Sequence, residues 1–110
     1  MTETPTPPVR IVLSTAGSPE EAARISRELV ERRLAACVNR LPGATSVYRW
    51  QGAIEEASEV LLVVKTSAEK LEQLKAVLHE LHSYEVPEFL VLEVSSGSQA
   101  YLDWLLAAVE

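Results

Sequence analysis

The chain has 110 residues, of which 47% are apolar and 24% charged, a composition typical of a single soluble globular domain. Its one cysteine cannot form an intrachain disulfide, which excludes a disulfide-stapled secreted fold and favours a reducing, cytoplasmic compartment. The net charge of −6 disfavours nucleic acid and anionic membrane surfaces as partners, because both require a basic patch.

The N-terminal region predicts a tail, a strand and a helix. Residues 1–8 are rich in proline and threonine and are expected to form a flexible tail that lacks the features of a signal peptide, whereas residues 9–110 are expected to form one domain. Val9–Thr15 is β-branched and apolar, which predicts the first strand. A helix should begin at Ser18 and run to about residue 33, since Ser18 can cap it and Glu21 completes a capping box.

The central region predicts a long β-hairpin. Residues 36–41 and 44–50 form two halves of one strand, and Pro42-Gly43 between them indicates a kink or bulge. Gln51-Gly52 is a plausible hairpin turn. The return strand is expected to continue to Thr66.

The C-terminal half predicts a helix, a strand and a last helix. Ser67 can cap a helix over residues 68–82, whose leucines are spaced as one apolar stripe. The chain leaves this helix before Pro87, and residues 89–95 predict the fourth strand. Ser96 or Ser98 then caps a helix to residue 109.

The order β-α-β-β-α-β with a terminal helix is that of an α+β, ferredoxin-like split βαβ fold. Residues 60–64 and 89–92 are apolar on both faces of their strands, so both faces of the sheet should be covered. Both main helices are expected on one face. The last helix and a partner subunit in a cyclic homotrimer are the expected covers for the other.

Catalytic signatures are lacking in the sequence. It contains no nucleophile elbow, phosphate-binding loop, dinucleotide-binding glycine motif, C-x-x-C or H-E-x-x-H, and its only aspartate, Asp103, falls inside a predicted helix. We therefore expect a protein without enzymatic activity and without an obligatory cofactor.

Four residues are candidate metal ligands. Cys37 is either a small buried residue of a strand or a thiolate ligand for a soft metal. His79 and His82 lie three residues apart on a helix and are either surface histidines or a weak metal-binding pair. These three residues cannot close a four-ligand cage, so Glu85, water or a neighbouring subunit would have to contribute to a copper site.

Lys65 closes an apolar strand and is interpreted in two ways. It either extends its ammonium group into solvent, or it forms an ion pair with Glu55, Glu85 or Glu88 within the chain or across an interface.

Tyr48 and Trp50 alternate on one face of the long strand, where Tyr48 would oppose Glu55. They indicate either ordinary sheet packing or a subunit interface, at which aromatic residues are enriched.

Several segments, in this order and spacing, together resemble the CutA divalent-cation-tolerance family. They are Leu34-Ala35-Ala36-Cys37-Val38-Asn39, Pro42-Gly43 to Ser46, Tyr48 with Trp50, Gly52 and Glu55, Lys65-Thr66, His82-x-Tyr84-Glu85-Val86-Pro87-Glu88, and Gly97 with Tyr101-Leu102-x-Trp104. The resemblance implies a ferredoxin-like trimer with the plan of P-II signalling proteins and a role in tolerance of divalent metals, copper in particular.

The resemblance also implies roles for individual residues. Cys37 and His82 are the metal-related positions it favours most. Residues placed in or near an intersubunit cleft are Tyr48, Trp50, Glu55, Lys65, Tyr84, Glu85 and Glu88. The chain departs from some relatives at Ser14 and near Val77, where those have cysteine, and from many at Ser83, where those have proline. Two rival functions remain open: a P-II-like trimer that binds a small anion through Lys65, and a structural or anchoring trimer.

Overall fold

The computed structural model describes residues 6–110. The elements are β1 (Val9–Ala16), α1 (Pro19–Glu31), β2 (Cys37–Trp50), β3 (Ala53–Ser67), a 3-10 turn (Ala68–Lys70), α2 (Leu71–Leu81), β4 (Leu90–Glu93) and α3 (Gln99–Ala108). Most of the predicted flexible tail, residues 1–5, lies outside the described residues. The last residue of that tail contacts the domain, since the Pro8 carbonyl accepts a hydrogen bond from the Ala68 amide at 3.0 Å.

The four strands form one antiparallel sheet in the order β2-β3-β1-β4. β1 and β3 pair along the whole of β1, from Val9 opposite Ser67 to Ala16 opposite Val60. β4 pairs with β1 over only four residues. The predicted α+β architecture and the order β-α-β-β-α-β are therefore confirmed.

Helices α1 and α2 pack on one face of the sheet and bury the main core. Alternation along the strands sends every second side chain to this face, and helical periodicity aligns the apolar stripe of each helix with it. The buried residues are Val12, Ala16, Ala22, Ile25, Leu29, Leu34, Ala35, Val60, Leu62, Val64, Leu74 and Leu78.

The opposite face is only partly covered, and we call it the open face. Leu102 and Leu105 of α3 pack against Val9 at one end of it. The register places Leu13, Val63 and Leu90 next to one another on the remainder. Leu90 is 56% exposed. Both faces of the sheet were expected to be covered. Within one chain, the helical face is covered, but the open face is covered only at the end where α3 packs.

The hairpin of β2 and β3 extends beyond the rest of the sheet. Residues 53–59 pair with β2 but not with β1, so residues 44–59 form a two-stranded ribbon that we call the arm. A register shift between Leu41 and Ala44, with Gly43 at φ +83°, confirms the predicted bulge. Val47 and Ile54 on the arm are 65% and 71% exposed. An isolated two-stranded ribbon has little stability of its own, which makes the arm a candidate for contact with another chain.

Some boundaries differ from the prediction. α1 stops at Glu31 because Arg33 adopts a left-handed conformation with φ 58°, and the Leu34 amide turns back to the Leu29 carbonyl at 2.9 Å. β4 is limited to Leu90–Glu93 instead of residues 89–95.

Candidate functional site

A cleft of about 710 Å³ opens where the arm leaves the sheet, and we call it the arm cleft. One wall comes from alternate residues of β2, since Ser46, Tyr48 and Trp50 share one face of that strand. The other wall is the loop that follows α2. The lining residues are Thr15, Ser46, Val47, Tyr48, Trp50, Glu59, Tyr84, Glu85, Val86, Pro87 and Glu88.

His82 fixes the start of that loop. Its imidazole is buried, and Nε2 lies 2.6 Å from the Thr15 carbonyl, which can only accept a hydrogen bond and therefore places the proton on Nε2. Nδ1 accepts a hydrogen bond from the Tyr84 amide at 3.0 Å. The ring also packs against that of Tyr84, with centroids 4.6 Å apart. Both nitrogens are thus engaged in holding the loop against the end of β1.

Glu21 ties the same loop to the N-terminus of α1. The Ser83 hydroxyl and amide donate to its carboxylate at 2.7 and 3.2 Å. Partial burial acts to raise the pKa of Glu21, but the Ser83 hydrogen bonds, together with the nearby positive charge of Arg24, outweigh it and lower that pKa below its usual value. Only one of the two contacts of the predicted capping box is therefore present. The Glu21 amide does donate to Ser18 Oγ at 3.1 Å, but the carboxylate turns to Ser83.

Tyr84 and Glu59 connect the two walls of the cleft. The Tyr84 hydroxyl donates to Glu59 Oε2 at 2.7 Å, and Glu59 is only 9% exposed. Burial and the hydrogen bond to Glu59 raise the pKa of Tyr84, so its phenol remains a protonated donor. A Cβ atom at Gly17 would lie 3.0 Å from the Tyr84 hydroxyl, so the absence of a side chain there makes room for the ring.

Sequence reasoning missed Glu59 as a site residue. The sequence feature that could have identified it is its alternation with Leu61 and Val63, which places an acid next to two apolar residues on one strand face.

The predicted cleft residues are only partly brought together. Tyr48, Trp50, Tyr84, Glu85 and Glu88 line the arm cleft. Glu55 pairs with Tyr48 across the hairpin, as predicted, but is not part of the lining.

Lys65 lies away from the arm cleft. It follows Glu59 by six residues in the same strand, a separation of roughly 20 Å along an extended chain. Its Nζ is 3.5 Å from the Tyr101 hydroxyl and 5.7 Å from the centre of that ring. Within residues 6–110 it forms no ion pair, so the predicted pairing with Glu55, Glu85 or Glu88 does not occur inside one chain.

The predicted metal ligands do not converge within one chain. Cys37 pairs with Lys65 at the far end of the sheet, roughly 13 Å along the strands from the β1 terminus that His82 contacts. Its Sγ is partly exposed and makes one long contact, 3.9 Å, to Asn39 Oδ1. His79 is exposed on α2, and its Nδ1 lies 2.9 Å from the Lys75 carbonyl.

Within residues 6–110 no three His, Cys, Asp or Glu side chains are grouped to hold a metal ion. The described part of one chain therefore does not supply the three or four ligands that a closed site needs. None of the helices in this part of the chain is long and apolar enough to cross a membrane.

Comparison with known proteins gives consistent matches over nearly the whole chain. Residues 10–108 match the family model of the CutA1 divalent ion tolerance protein. The divalent-cation tolerance protein CutA of Thermus thermophilus is 50% identical over 95 residues, which cover 86% of this chain and 92% of that protein.

Solved structures of CutA proteins superpose closely on this chain. The crystal structure of CutA from Xylella fastidiosa superposes with a TM-score of 0.92 at 43% identity, covering 94% of this chain and 99% of that one. A CutA of Archaeoglobus fulgidus, described as a periplasmic divalent cation tolerance protein, gives a TM-score of 0.90 at 38% identity and covers 93% of this chain and 99% of that one.

Proposed function

The chain belongs to the CutA1 divalent ion tolerance family, and from this premise we propose that it is a homotrimer that binds divalent metal ions, copper among them, without catalysing a reaction. The observation that carries the proposal is the position of the metal-ligating side chains. They do not converge within a subunit, but Cys37 lies by register on the open face and Glu85 lines the arm cleft, two surfaces that an assembly would bring together.

Exposed apolar side chains support the assembly. Large apolar residues are more than 40% exposed on the arm, at Val47 and Ile54, and on the open face, at Leu41, Leu90 and Leu92. Monomeric proteins rarely expose contiguous apolar surface of this kind. Closed cyclic packing of three copies would bury the arm and the open face together and would cover the sheet edges.

Cys37 is the metal-ligating residue that requires the least rearrangement. Its partly exposed thiol lies by register on the open face, opposite Lys65, so packing of copies through that face would bring it near another subunit. His82 would first have to give up its bond to Thr15 or to Tyr84. Exposed His79 and Glu85 are secondary contributors, because imidazole and carboxylate suit Cu(II).

The lining of the arm cleft argues against the P-II-like alternative. Three glutamates line it, and none of the described lining residues is lysine, arginine or histidine, so a small anion would meet negative charge. A cytoplasmic location is part of the proposal and is based on the single cysteine.

Copper titration by calorimetry tests the proposal. We expect saturable binding to the wild type that is weakened most in Cys37→Ser, less in His82→Ala, and not at all in Asp103→Asn, a control that removes an exposed carboxylate of α3. Equal binding by all four proteins would refute the ligand assignment. A stable trimer that binds no metal would instead favour the structural role.

A further inference from the structure

Two oppositely charged side chains of β3 lie on the same face of the sheet, near its two ends. Alternation along the strand places Glu59, Leu61, Val63 and Lys65 on the open face, while the residues between them point into the main core. Glu59 and Lys65 are separated by roughly 20 Å of extended chain. The two charges therefore do not meet within one subunit.

Glu59 is buried without a cationic partner. It is 9% exposed, and the Tyr84 hydroxyl, which donates to it at 2.7 Å, holds the carboxylate in place. Among residues 6–110 no lysine, arginine or histidine forms an ion pair with it. Buried carboxylates are rarely left without a cation, because the loss of hydration is costly. This carboxylate therefore lacks a partner that the described part of one chain does not supply.

Lys65 is in the complementary position. Its ammonium group lies 5.7 Å from the centre of the Tyr101 ring, and within the described residues it has no carboxylate partner. In a single chain the side chain is partly exposed, so water completes its contacts. Packing of copies through the open face, as in the proposed trimer, would remove that water. The buried ammonium group would then require an anion from a neighbouring subunit.

Glu59 fits this requirement better than the other carboxylates near the buried surfaces. Glu55 and Glu85 are exposed and Glu88 is partly exposed, and among residues 6–110 no hydrogen bond fixes their side chains. A closed ring joins unlike surfaces of neighbouring subunits, so each subunit can offer Glu59 to one neighbour and Lys65 to the other. One acid and one lysine per chain satisfy each other completely in such a ring.

From these observations we infer that Lys65 of each subunit forms an ion pair with Glu59 of the partner subunit. The inference rests on the proposed homotrimer and adds the contact that determines which ends of the two sheets meet. Tyr84 orients the acceptor and the Tyr101 ring lies beside the donor. A charge pair of this kind fixes the register of an interface, because any other register leaves a buried charge unpaired.

Mixed trimers test the pair, because complementary chains can restore a contact between subunits. Unlabelled Lys65→Met and isotope-labelled Glu59→Gln are unfolded in urea, mixed, refolded together and weighed by native mass spectrometry. Either variant alone leaves three buried charges unpaired, whereas every mixed trimer contains one intact pair and one contact that lacks both charges. We expect the ratio of mixed to unmixed trimers to exceed that of random mixing by about tenfold, which corresponds to about 1.4 kcal/mol.

The matched control is a mixture of Lys75→Met and Glu72→Gln, since both residues are exposed on α2. This mixture should give the random ratio. A random ratio for the Lys65 and Glu59 variants, with a trimeric wild type, would overturn the inference and leave the proposed assembly intact. A wild type that is not trimeric would overturn the proposed function and the pair with it. If neither variant assembles alone, the mixture must restore the trimer, and its failure to do so would also overturn the pair.

Discussion

Replacing Tyr84 by phenylalanine removes the hydroxyl that joins the two walls of the arm cleft. The ring, its packing on His82 and the backbone of the loop are retained, so the change isolates the 2.7 Å hydrogen bond to Glu59. We expect the variant to fold and to be less stable than the wild type.

The magnitude follows from the environment of that bond. A hydrogen bond to a charged group contributes about 1.5–3 kcal/mol net, and leaving a buried acceptor unpaired has a similar cost. Glu59 is 9% exposed, which argues for the full value, but Tyr84 is 37% exposed, so water in the cleft replaces part of the lost bond. We therefore expect a loss of about 1.5 kcal/mol, or a fall of roughly 0.5–1.5 M in the urea midpoint.

Urea unfolding at one fixed protein concentration measures this loss, because the stability of an oligomer depends on concentration. Tyr101→Phe is the matched control, since its hydroxyl has only a 3.5 Å contact with Lys65 in an exposed position, and it should change stability by less than about 0.5 kcal/mol. If Tyr84→Phe were no more destabilising than Tyr101→Phe, Glu59 would not depend on this bond.

The raised pKa of Tyr84 adds a pH signature. The folded state holds the phenolic proton more tightly than the unfolded chain does, so the associated stability is present below the ordinary tyrosine pKa of about 10 and is lost as pH rises through the folded value. The stability difference between wild type and Tyr84→Phe should therefore narrow above about pH 10.

Four further substitutions test local features of the fold. Arg33→Gly should stabilise by about 0.5–1 kcal/mol in urea unfolding, because Arg33 has φ 58°, whereas Gly43→Ala at φ +83° should destabilise. The pKa of Glu21 is lowered in the fold, so the stability that its carboxylate supplies is present above the usual pKa near 4.5 and is lost as pH falls through the pKa of the folded state. In an acid titration, the free energy of unfolding of Glu21→Gln should therefore fall less steeply than that of the wild type. Thr66→Val should cost about 1–3 kcal/mol in thermal or urea unfolding, because it leaves the Leu34 carbonyl without its buried 2.6 Å donor, and an unchanged midpoint would show that the carbonyl finds another partner.

Local pattern was sufficient to predict the elements of the fold. Strand alternation and helical spacing depend only on neighbouring residues, and so do the caps. The hydroxyl of Ser18 accepts from the Glu21 amide, and Ser98, one of the two predicted candidates, accepts from the Tyr101 amide. The predicted cap at Ser67 is wrong in part, because its side chain makes no capping hydrogen bond. The bulge at Pro42-Gly43 was also predictable from local sequence, because proline restricts the backbone and glycine permits conformations that other residues avoid.

The contacts that build the cleft join residues far apart in sequence. His82 bonds to Thr15 across 67 residues, and Ser83 to Glu21 across 62. Helical spacing predicted His82 beside His79 as a surface histidine or half of a weak metal pair, but the chain turns to an extended conformation at His82 and its side chain is buried. Only the tertiary arrangement selects these partners.

The partner of Lys65 also could not be predicted from the residues around it in the sequence. Its neighbours in sequence left two interpretations open, an ammonium group extended into solvent or an ion pair with a carboxylate, and in the structure the residue is partly buried. Which group it meets depends on α3, whose Tyr101 comes 36 residues later and packs over the ammonium group. A carboxylate partner across a subunit interface stays a prediction.

Native mass spectrometry of the copper-treated protein tests the central claim most directly, because one spectrum reports both the number of chains and the number of metal ions. The proposal predicts a species of three times the 12.1 kDa chain mass that carries copper, and a dissociated chain that does not. Copper retained by the single chain, or a trimer that stays metal-free at saturating copper, would contradict it.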